Sequence, residues 1–167
     1  MKSVFALFVI ALFLIPTLAQ EKSVERDFTR GVKKLTRERY SMGEDATSGY
    51  DYLIYKTKTE IKKIRIIWNG GASSQPTVED IYYEAGVPVL YAKLALTKKQ
   101  FKSVVRGSDI ALTAIEKFYL KDSKLIAWIE NGKTVSTTDS RWQEKEKFVL
   151  EQAKETLDFY PTLKELQ

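Results

Sequence analysis

The chain contains neither cysteine nor histidine. Without cysteine there is no disulfide framework, no thiolate nucleophile and no lipobox to carry a lipid anchor. Without histidine, the side chain most used for acid–base work near neutral pH and the commonest transition-metal ligand are both missing. That excludes Ser-His-Asp, Cys-His and His-based zinc sites. A phosphate-gripping loop is absent as well, because Asn69-Gly70-Gly71-Ala72-Ser73-Ser74 lacks the Gly-Lys-Ser/Thr ending that holds phosphate and magnesium. No cofactor is implied. A strong excess of one charge is also missing: 27 basic residues stand against 22 acidic ones, interspersed as in Glu144-Lys145-Glu146-Lys147, which suits a soluble domain and argues against a dedicated nucleic-acid surface.

Long apolar runs are confined to the start. After Met1-Lys2-Ser3 comes an almost purely apolar stretch from Val4 to Ile15, broken by Pro16. Thr17 and Ala19 then occupy the two positions where signal peptidase requires small side chains, which places a cut before Gln20. Residues 1–19 therefore read as a secretory signal peptide and 20–167 as a single α+β domain. An uncleaved anchor is the alternative, but the stretch falls well short of the roughly 20 apolar residues a spanning helix needs. Removing Lys2 lowers the net charge from +5 to +4. With no disulfides, and with Asn69 and Asn131 opening no Asn-x-Ser/Thr acceptor, the expected setting is a bacterial periplasm or the medium outside the cell, without membrane insertion after cleavage.

From Glu21 to Tyr40, Val24, Phe28, Val32 and Leu35 recur at helical spacing, and the polar stretch Ser41 to Gly49 reads as a linker. Tyr50 to Glu130 is dense in Tyr, Ile, Val, Leu and Trp, interrupted by short polar or glycine-containing pieces, which predicts about six strands joined by hairpins. In the second, Glu60 to Trp68, Ile64, Ile66 and Trp68 alternate with Lys63 and Arg65. The fourth is long, turning at Ala85 to Pro88 and reaching Val104, with Leu90, Ala92, Leu94 and Leu96 on its inner face. An internal echo aligns Tyr82 through Leu90 with Phe118 through Ile126 as equivalent hairpins. Ser140 with Gln143 reads as the capping box of a final helix carrying Trp142, Val149, Leu150, Ala153 and Leu157 on one side, ended by Pro161 after Tyr160. The expected architecture is an antiparallel meander with an N-terminal and a C-terminal helix on one face.

The stretch Phe118-Tyr119-Leu120-Lys121-Asp122-Ser123-Lys124-Leu125-Ile126-Ala127-Trp128 resembles an aromatic-turn-Gly-Lys-Leu-Ile-x-Trp motif of uncharacterised bacterial exported proteins, with Ser123 standing where such sequences usually carry Gly. The resemblance extends to the order of signal peptide, helix, paired hairpins and closing helix. It implies no activity.

Two kinds of site remain open. Strands alternate faces, so part of the aromatic set Tyr50, Tyr52, Tyr55, Trp68, Tyr82, Tyr83, Tyr91, Phe118, Tyr119 and Trp128 can lie uncovered and stack on a ligand or partner; Tyr82, Tyr91, Tyr119 and Trp128 are the candidate binding face. Cross-strand pairing within the sheet is the competing use of these rings. Lys62, Lys63, Arg65, Lys98, Lys99, Lys102 and Arg106 would bias such a face towards anionic partners, or simply solvate and protect strand edges. Carboxylate-pair chemistry has candidates in Glu79, Asp80, Glu84, Asp109, Glu116 and Glu130. The expectation is a noncatalytic exported module that binds another envelope protein or an anionic surface component; a small hydrolase and a purely structural envelope protein are the alternatives.

Overall fold

A computed structural model describes residues 26, 28, 30–45, 48–68, 76–105 and 113–165. The leader read over residues 1–19, and its cut before Gln20, lie outside them. The chain divides into two compact units, Met1–Lys34 and Leu35–Gln167. In the first, the described residues end in a 3-10 turn, Val32–Lys34. The second holds the sheet.

Eight strands follow one another in space as in sequence: β1 (Thr36–Asp45), β2 (Ser48–Lys56), β3 (Ile61–Trp68), β4 (Thr77–Glu84), β5 (Val87–Ala95), β6 (Ala114–Lys121), β7 (Lys124–Glu130) and β8 (Lys133–Thr134). Every neighbouring pair is antiparallel. Helix α1 (Lys98–Val105) lies between β5 and β6, and α2 (Trp142–Glu165) closes the chain.

Three of the hairpins turn on two residues with positive φ: Ala85-Gly86, Asp122-Ser123 and Asn131-Gly132. That is the requirement of the tight turn whose twist matches the flanking strands. The internal echo holds, but its register moves by one residue from the sequence alignment, since Ala85-Gly86 is equivalent to Asp122-Ser123. Each of these two hairpins also carries a bulge after its aromatic, at Tyr82/Tyr83 and at Tyr119/Leu120.

Register explains the packing. Ile54, Ile64, Ile81, Tyr91, Phe118 and Trp128 pair in succession across β2 to β7, so they form one row on one face. Val149, Ala153, Thr156, Tyr160 and Leu163 of α2 recur every three or four residues and are buried, and all but Thr156 form a core with that row. Tyr83 donates its hydroxyl to the Ala153 carbonyl at 2.7 Å, fastening helix to sheet. The opposite face is also buried, at Leu53, Ile67, Val78, Leu90 and Leu94.

Several expectations are corrected. Thr36 to Tyr40, read as the end of a helix, belong to a strand that runs on into the supposed linker as far as Asp45; Glu38, Tyr40 and Met42 alternate with Arg37, Arg39 and Ser41, a period of two that the helical stripe concealed. Among the described residues there are eight strands where six were expected. The long fourth strand stops at Ala95, where Thr97 and Gln100 form a reciprocal cap: the Gln100 amide donates to the Thr97 hydroxyl at 3.2 Å and the Thr97 amide to Gln100 Oε1 at 3.0 Å, starting α1. At the start of α2 it is Asp139, not Ser140, whose side chain accepts a backbone bond, from Arg141 at 2.9 Å. Helix α2 also continues through Pro161 to Glu165, because buried Tyr160 and Leu163 offset the missing amide donor.

Candidate functional site

Two cross-strand rows at one end of the sheet build an open cleft. The first runs Tyr52, Ile66, Glu79, Lys93 across β2 to β5, and the second runs Tyr50, Trp68, Thr77 across β2 to β4. Helix α2 supplies the facing wall with Gln152, Glu155, Thr156 and Phe159, positions i, i+3, i+4 and i+7 of one helical face. The hollow measures about 620 Å³, within the ordinary range of ligand sites.

Its apolar component is aromatic. Tyr50 is 47% exposed. The Tyr50 and Tyr52 rings lie 6.5 Å apart at 33°, and Tyr52 meets Phe159 at 6.0 Å, so three rings run in sequence from strand to helix. Burial, then nearby Tyr50 and Glu79, push the Tyr52 hydroxyl above its usual value and keep it a neutral donor. Polar groups line the same space: Glu79 and Lys93 from the sheet, Glu155 from the helix. Gln152 donates its side-chain amide to Glu155 Oε2 at 3.2 Å, which orients that carboxylate.

The four residues read as a binding face do not share one. Tyr91 and Trp128 lie in the row beneath α2, whereas Tyr82 and Tyr119 flank Leu90 on the opposite side. Tyr91, Tyr119 and Trp128 are also buried, at 1%, 1% and 0% exposure. Trp128 is stacked on Phe118 at 5.6 Å, and the Arg141 guanidinium lies 4.6 Å from its ring. Tyr82 is half-buried with Lys63 Nζ 4.7 Å from its ring. What the sequence reading missed is which rings stay accessible: Tyr50, Tyr52 and Trp68 belong to the original aromatic set, but Phe159 and Glu155 come from a helix whose polar side carried no signal.

The charged candidates are dispersed. Lys63 and Arg65 are buried around Asp80, with Lys63 Nζ at 2.7 Å from Oδ2 and Arg65 Nε at 2.6 Å from Oδ1. Burial alone would raise the Asp80 pKa; the two cations outweigh it and hold the carboxyl below its usual range. Lys62 pairs with Glu60, while Lys99 and Lys102 stand exposed on α1. Arg106 and Asp109 lie outside the described residues. Glu116 is held by Lys145 at 3.2 Å and Glu130 by Arg141 at 3.1 Å, and Glu84 is exposed at a hairpin end. Of the six acids, Glu79 lines the cleft, where the other carboxylate is Glu155.

A second hollow, about 650 Å³, lies at the far ends of β2 and β3. Its lysines include Lys56, which is committed to Glu38 and Tyr160, and its one ring is Tyr160. Among the described residues, no group of three or more acidic, histidine or cysteine side chains could hold a metal ion, and no helix is long and apolar enough to cross a membrane. Comparison with family models, with curated proteins and with solved structures finds no match.

Proposed function

We propose that this protein is a noncatalytic binding module of the bacterial envelope, exported by the leader at residues 1–19, which takes an envelope component into the cleft between β2–β5 and α2. The observation that carries the reading is the ring sequence Tyr50, Tyr52 and Phe159, set beside Trp68 on an open hollow of about 620 Å³. Exposed aromatic area of this kind is costly to leave in water and gains most when a ligand covers it. A second reading, a carboxylate-pair hydrolase, is favoured by Glu79 and Glu155 lining the same hollow.

The test immobilises the purified exported protein and exposes it to solubilised envelope material, with Tyr50→Ala and Trp68→Ala alongside. Wild type retains a component that both variants release. Equal retention by all three overturns the assignment of the cleft.

A further inference from the structure

The chemistry around the rings narrows the ligand class, and the narrowing rests on the binding reading above. Glu79 and Glu155 can only accept hydrogen bonds when ionised, Lys93 can only donate, and Gln152, Thr77 and Thr156 do both. A complementary ligand must therefore donate to two carboxylates and accept from an ammonium, and must also offer a flat apolar surface to Tyr50, Tyr52 and Phe159.

We infer that the cleft binds a neutral saccharide, whose hydroxyls each donate and accept and whose ring faces are lined with C–H groups. A proline-rich peptide would suit the aromatics, but proline has no N–H, so its prolines bring no donor to Glu79 or to the acceptor sites of Glu155 that Gln152 leaves open. Single-stranded nucleic acid would also stack on the rings, yet its phosphates would meet two carboxylates against one lysine, the reverse of the basic groove such ligands need. The Gln152 bond to Glu155 fixes an acceptor before the ligand arrives, and pre-set polar groups of this kind favour affinity by reducing the ordering cost.

The experiment titrates the full exported protein with cellotetraose, maltotetraose and chitotetraose and with a proline-rich decapeptide, reading heat and tryptophan fluorescence. At least one tetrasaccharide binds in the micromolar to millimolar range. Tyr50→Ala or Trp68→Ala weakens it by about three- to tenfold, and Glu155→Gln, which retains shape but loses charge, weakens it by a smaller factor. Circular dichroism and the melting midpoint of each variant check that the fold is intact. The proposal fails if no tetrasaccharide binds at about 10 mM, if the variants bind as wild type does, or if the decapeptide alone binds. Cleft-dependent retention of envelope material together with any of these outcomes removes the saccharide and leaves the binding module standing. Bound tetrasaccharide recovered in shortened form would support the saccharide and replace the noncatalytic reading with the hydrolase.

Discussion

At the scale of single residues, the turn Asp122-Ser123 is the clearest point of conflict between side chain and backbone. Ser123 has φ near 56°, a left-handed conformation that costs an L-residue roughly 1 kcal/mol and glycine little. Ser123→Gly should therefore raise stability by about 0.5–1 kcal/mol, measured as a higher urea midpoint at unchanged slope. The same substitution at an exposed strand position should lower it. A second residue-scale prediction concerns Glu38, whose carboxylate accepts hydrogen bonds from Lys56, Tyr160 and Tyr40. Burial pushes its pKa up, but these three donors together hold it below the ordinary 4.5. A depressed folded-state value means a stabilising contribution that is complete above pH 4.5 and is lost as the pH falls through the folded-state value. Glu38→Gln should thus be less stable than wild type at neutral pH, with the gap closing under acid; a gap independent of pH would refute the charge argument. On the alkaline side, burial and then the facing Glu38 carboxylate push the Tyr40 hydroxyl up to about 12, so its contribution is present below pH 10 and fades above it.

At the scale of elements, the outcome depended on which signal dominated locally. The middle strands were legible because Ile64, Ile66 and Trp68 alternate and the turn residues are explicit. Strand β1 was not, since Val32 and Leu35 prolong a helical stripe up to its first residue. Helix α1 was legible in principle: Thr97-x-x-Gln100 is a capping box as good as the one read at Ser140, but the alternating Leu90 to Leu96 drew the strand across it. Pro161 was given the wrong weight. Proline costs about 3 kcal/mol relative to alanine inside a helix, yet Tyr160, edge-on to Tyr40 at 6.2 Å and bonded to Glu38, together with buried Leu163, holds the last turn in place. Pro161→Ala restores the donor to the Leu157 carbonyl and should stabilise by about 1–3 kcal/mol; a lower melting midpoint would mean that the ring itself packs productively. The open side of β7 is managed locally too, because the Leu125 amide donates to Glu146 of α2 at 2.7 Å, which denies that group to another chain.

At the scale of the whole molecule, the aromatic richness of the sequence did not indicate which rings are buried and which line the cleft. Side-chain alternation put Tyr91 and Trp128 under α2 and Tyr82 and Tyr119 on the reverse side, where Tyr119 is buried all the same. Composition also could not reveal that Lys63 and Arg65 turn inward, since that depends on Asp80 lying opposite Arg65 across β3 and β4. On the proposed reading, ligand binding is linked to folding. A saccharide at one hundred times its dissociation constant should stabilise the protein by about 2.7 kcal/mol, which is roughly 5–10 °C in melting midpoint for a chain of this size. Scanning calorimetry should show that shift in wild type and lose most of it in Trp68→Ala at the same concentration.

The cleft has one wall between residues 50 and 93 and the other between residues 152 and 159. During synthesis the first wall emerges from the ribosome long before the second, so a nascent chain carries Tyr50, Tyr52 and Trp68 before Phe159 and the rest of the helix wall. On the proposed reading, the cleft can hold a ligand only once α2 has been translated and has docked on the sheet.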